Sequence, residues 1–152
     1  MLVIKPIQDK TEQKSIVTAC GGSYDADALA YAAYDCADDA ETVRALLGVC
    51  QFSLRRGYGA ITALLPAPGT DDTEAMTIMA RTAAFFLYRC GYPKAVLEDG
   101  AADPALVRLL GFRRDAQKQN ALDLERFYNS PCHAREIAPD AQQKEERYVE
   151  SR

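Results

Sequence analysis

The chain has no tryptophan and only one histidine, and none of its five cysteines belongs to a C-x-x-C pair. One histidine and dispersed thiols exclude a zinc knuckle, and an odd, scattered cysteine set does not make a disulfide framework. Cys36, Cys50 and Cys90 fall within apolar segments, where a free thiol packs as a small hydrophobe. Long hydrophobic runs are missing too. No stretch approaches the roughly 20 apolar residues of a membrane span, and Met1–Ile7 is far too short for the apolar core of a signal peptide. A cytoplasmic protein is expected. Cations are outnumbered, with 18 Lys and Arg against 22 Asp and Glu and a formal charge of -4, so neither nucleic acid nor an anionic membrane surface is an expected partner.

With 152 residues, 48% of them hydrophobic and 26% charged, the chain suits one globular core. Leu2–Ile7 reads as a short strand limited by Pro6, and Lys10–Ala19 as a one-sided surface helix closed by Gly21-Gly22. Ala28–Tyr34 mixes helix-prone alanine with strand-prone tyrosine and is taken as a strand. Val43–Leu54 has the apolar content of a central strand, with Gly48 marking a bulge. Arg55-Arg-Gly57 is a turn signal, so Tyr58–Leu65 should pair back as a hairpin that Pro66 ends. Met76, Met79, Ala80, Ala83, Leu87 and Cys90 recur at helical spacing, which predicts a long packed helix over Thr73–Cys90, begun by Asp71, Asp72 or Thr73 and closed by Gly91. Lys94–Glu98 resumes as a strand. Asp103-Pro104 opens a short helix that Gly111 stops, and a strand pair is expected over Arg113–Phe127 with its turn at Lys118–Asn120. From residue 131 the composition turns polar, which divides the chain into a domain over 1–130 and a tail over 131–152.

The expected fold is therefore α/β, a mixed and mostly antiparallel central sheet flanked by helices, in the order β-α-β-β-β-α-β-α-β. That order resembles the GNAT N-acyltransferases over residues 1 to 128. Leu64-Leu-Pro66 closes the fourth strand before the long helix, and Leu110-Gly-Phe112 follows the later one. The resemblance implies two central strands that splay apart, with acetyl-CoA in the gap and its pyrophosphate over the N-terminus of the long helix. It puts Leu64, Leu65, Gly69, Thr70 and Thr73 beside the cofactor. The family's loop has the form Q/R-x-x-G-x-G/A. Here Gly69 takes the basic or amide position, and Asp72 and Glu74 take the two glycine positions. Where family members often have a general-acid tyrosine and an asparagine, Val107 and Gly100 stand. The resemblance thus implies a degenerate phosphate site, with acetyl-CoA bound weakly or not at all.

Glu98, at the end of the fifth strand, is a candidate general base; a strand-end acid followed by Asp99 also reads as a solvated loop residue. Tyr31 and Tyr34 are candidates to line an acceptor cleft or protonate the CoA thiolate, against the commoner reading of packing on a half-buried strand. Arg55 and Arg56 are candidates to bind an anion, against the commoner reading of solvated turn residues. Cys132-His133 joins a thiol to the sole histidine, but neighbours in a chain rarely point at each other, and no metal site is expected. Two readings follow. One is an N-acetyltransferase acting on a small-molecule or peptide amine; the other is a GNAT-shaped binding or regulatory module that has lost CoA. A homodimer is compatible with either.

Overall fold

The computed structural model describes residues 1–129. The expected tail, with Cys132 and His133, lies outside them. Seven strands, β1 (Leu2–Pro6), β2 (Leu29–Cys36), β3 (Val43–Arg55), β4 (Tyr58–Pro66), β5 (Lys94–Leu97), β6 (Arg113–Arg114) and β7 (Asn120–Asp123), form one sheet in the order β1-β2-β3-β4-β5-β7-β6. Only β4 and β5 run parallel, across the crossover made by α2 (Thr73–Arg89). The mixed, mostly antiparallel sheet is the expected architecture.

Helix α1 (Lys10–Ala19) covers one face, where Val17, Ala30 and Val49 form a small buried cluster. The other face carries the main core under α2, α3 (Pro104–Leu109) and α4 (Leu124–Asn129). There, Phe52, Ile61, Leu64, Met79, Leu87 and Leu97 are at most 1% exposed. Small residues on the sheet serve this packing, Ala33 of β2 and Gly59 of β4 lying under α2, since a small sheet surface lets a helix lie close. Gly59 shows how close: a Cβ there would lie 2.4 Å from Leu87 Cδ1. Asp72 caps α2, accepting from Ala75 N at 2.9 Å.

Three local expectations differ. The segment expected as strand to Phe127 turns helical at Leu124, because Asp123 accepts from Arg126 N at 3.0 Å and caps a final turn. Asn120 belongs to β7 rather than to the turn, which Asp115 organises by accepting from Gln117 N and Gln119 N at 2.9 Å each. The two β2–β3 register shifts fall at Leu47, next to Gly48, and at Arg44, and a further shift in β3–β4 leaves Thr62 as an extra residue.

Buried between α1 and the sheet is a polar network the sequence did not announce. Gln51 Nε2 donates to Ser23 O at 3.0 Å and to Thr62 Oγ1 at 3.1 Å. Its Oε1 accepts from Gln13 Nε2 and from Asp25 N, both at 3.1 Å. Gln13 and Gln51 are fully buried, and these bonds tie α1, the loop before β2, β3 and β4 together.

Candidate functional site

The parallel pairing of β4 with β5 lasts three residues, Gly59 to Ile61 against Ala95 to Leu97. Glu98 N extends it by one bond to Ile61 O at 3.0 Å. The strands then part, as the extra residue Thr62 bends β4. The opening does not stay free. Residues 98 to 101 make a tight turn, with Ala101 N donating to Glu98 O at 3.0 Å, and Leu64 N donates to Ala101 O at 2.8 Å. Gly100 sits third in that turn at φ +80°, a conformation that favours glycine. Ala101 is 3% exposed, so the chain's own backbone fills the notch beside Leu64. The Gly100 position, where the resemblance puts an asparagine, therefore lies in a turn ahead of α3.

The residues expected beside a cofactor are arranged accordingly. Leu64 is fully buried with its N–H engaged, and Leu65 packs into the α1-side cluster. Gly69 has φ +78° in the loop before α2. Thr70 turns inward: its hydroxyl donates to Leu47 O at 3.1 Å and to Ala67 O at 2.8 Å. Thr73 opens α2 beside the capping carboxylate of Asp72, with Glu74 in the same turn. Acidic side chains already occupy the positive end of the helix.

Tyr31 and Tyr34 do not share a cleft. Tyr31 stacks on Phe52 at 5.8 Å within the core under α2, whereas the Tyr34 ring lies 6.0 Å from Lys5 Nζ, with Glu12 of α1 among its charged neighbours. They stand on opposite faces, as the two-residue period of a strand dictates for positions three apart. Burial is the main cause that raises the pKa of both phenols. Strand β2 is also three strand spacings from β5, roughly 14 Å, so the tyrosines and Glu98 form no catalytic group in this arrangement.

Glu98 does border a cavity of about 530 Å³ between the 98–103 turn, α3 and the β6–β7 hairpin. Leu97, Val107 and Phe112 form its apolar surface, and Asp99, Arg108, Arg114 and Asn120 add polar groups to Glu98. Arg55, expected to be solvated, reaches Glu98 Oε2 at 3.5 Å, and Arg114 lies 3.5 Å from Asp99. Both pairs are exposed, so each contributes about 0–1 kcal/mol. Position Val107 is where the resemblance expects a general-acid tyrosine; here it contributes only apolar wall. Among the described residues no group of three His, Cys, Asp or Glu side chains could hold a metal ion. No described helix is long and apolar enough to cross a membrane.

No family model matches the sequence. No curated protein matches it either. Solved structures do. An "IAA acetyltransferase" from Bacillus cereus aligns at a TM-score of 0.59 and 20% identity, over 76% of this chain and 79% of that one. A GNAT family acetyltransferase from Brucella melitensis, in complex with acetyl-CoA, gives 0.57 and 20%, over 81% and 88%. A GNAT family N-acetyltransferase from Escherichia coli, in complex with CoA, gives 0.56 and 13%, over 86% and 84%. At these identities the likeness concerns architecture. The chain has the fold of the GNAT acetyltransferases.

Proposed function

We propose that this chain is a GNAT-fold binding module whose ligand site is the cavity at the end of β5, and that acyl-CoA is not held in the gap between β4 and β5. The observation that carries this reading is the Leu64 N to Ala101 O hydrogen bond of 2.8 Å, which spends a β4 donor on the chain's own turn. Charge at the start of α2 points the same way. A pyrophosphate brought within about 6 Å of Asp71, Asp72 and Glu74 would meet repulsion of about 0.7–1.4 kcal/mol per unit-charge pair at an effective dielectric between about 40 and 80. Several such pairs are enough to move a micromolar cofactor towards millimolar. A cytoplasmic location fits the four described cysteines, all free.

A second reading keeps N-acyltransfer to a small-molecule or peptide amine. Two neighbours carry acetyl-CoA or CoA, and Glu98, which borders the cavity, would be the base for an amine bound there. Calorimetric titration of acetyl-CoA into the full chain separates the two. Dissociation constants near millimolar or weaker are expected, tightening when Asp72 and Glu74 are both replaced by glycine. Micromolar binding by the unaltered chain sinks the module reading and restores the enzyme.

A further inference from the structure

If the cavity is the binding site, as proposed above, its surface says what kind of ligand it takes. Its charged groups come in both signs, Glu98 and Asp99 against Arg108 and Arg114, so neither a polyanion nor a polycation is favoured. Arg108, on α3, makes no ion pair among the described residues. Among the described residues the Glu98 side chain is held only by a 3.5 Å contact to Arg55, with both side chains about two-fifths exposed, and an incoming ammonium can displace a contact of that kind. Val107 and the buried ring of Phe112 line the same space. The half-buried Asn120 side chain borders the same space and is hydrogen-bonded to none of the described residues. An amide offers both a donor and an acceptor.

We infer that the cavity binds a small zwitterion with an apolar body, a free amino acid or very short peptide, with its carboxylate on Arg108, its ammonium on Glu98 and its side chain against Val107 and Phe112. Two charge-assisted contacts across one apolar surface discriminate by requiring both charges together. Molecules with the same body and only one charge lose one of the two contacts.

The test is an NMR titration of the full, isotope-labelled chain with three probes sharing one branched body: L-leucine, 3-methylbutylamine, which lacks the carboxylate, and 4-methylpentanoate, which lacks the ammonium. Leucine is expected to shift the amide signals of Glu98, Val107, Phe112 and Asn120 and to bind about tenfold or more tightly than either analogue. Arg108→Gln should erase leucine's advantage over the amine, and Glu98→Gln its advantage over the carboxylate. Arg55→Gln, which frees Glu98, should strengthen leucine binding. These side chains are exposed or half-exposed, and signal dispersion in each variant confirms that it folds. The inference is overturned if leucine binds no better than its analogues, if nothing binds, or if the shifts fall elsewhere. Acetyl-CoA added to the same sample is the separate control: tight binding with shifts at Gly69 to Thr73 overturns the module reading instead.

Discussion

The sheet is two unequal halves joined at the β4–β5 pair. Strands β1 to β4 are 5, 8, 13 and 9 residues long and wholly antiparallel, whereas β5, β6 and β7 have 4, 2 and 4 residues. Long neighbouring strands satisfy one another's backbone groups, and their faces bury continuous apolar surface. Short strands leave backbone to be satisfied by turns, and the 98–103 turn does so by closing the notch and bordering the cavity. The candidate site therefore belongs to the half with the least regular hydrogen bonding.

If the long half is the scaffold, damage under α2 should be the most costly. Leu87→Ala and Met79→Ala, both at fully buried positions, are expected to lose about 2–5 kcal/mol each in urea unfolding. Gly59→Ala should lose about 1–3 kcal/mol by overpacking against Leu87, and much less in the background of Leu87→Ala, where the new methyl meets a cavity. Additive losses would show that the two sites do not touch. Gln51→Leu should cost about 1–3 kcal/mol, because Ser23 O and Asp25 N lose their side-chain partner and Gln13 Nε2 loses one of its three acceptors.

The short half should respond locally. Gly100→Ala forces a left-handed alanine at about 1–3 kcal/mol and should speed hydrogen exchange at Leu64 N more than at β3–β4 ladder amides. Uniform acceleration would mean that the turn and the scaffold open together, and the two-halves distinction would fail. The smallest effect concerns Asp115, whose carboxyl is held below its ordinary value chiefly by Gln119 N, with Gln117 N and Lys94 adding to it. Its contribution is present above the unfolded value of about 3.9 and is lost as pH falls through the lower folded value. Asp115→Asn should therefore destabilise the chain slightly at neutral pH and match the unaltered chain in strong acid.

Legibility followed the same division. Hydrophobic period and caps gave α2, since seven of its residues are buried on one stripe and Asp72 caps it, but Cys90, read onto that stripe, is exposed at the C-cap. The hairpin of β3 and β4 was equally readable. The strand pair after residue 113 was readable too, but its end was not, because Leu122, Leu124 and Phe127 suit a strand as well as a helical turn, and only the Asp123 cap decides between them. Tyr31 and Tyr34 stand on opposite faces for a geometric reason that the strand period already contained. Gln13 and Gln51 gave no signal, since isolated amides look like surface residues until the fold brings them together. The Ala101 bond depends on how far β5 runs before the chain turns, which no motif records.

The hydrogen bond between Leu64 and Ala101 also bears on how the molecule is assembled in time. It joins residues 37 positions apart and can form only after the α2 crossover has delivered β5 to the sheet. Loop-closure entropy makes such non-local contacts slow relative to the β3–β4 hairpin, whose turn spans only Gly57 and its neighbours. The stretch of main chain bordering the cavity is then expected to settle after the β3–β4 hairpin, so the cavity is shaped later than the hairpin beside it.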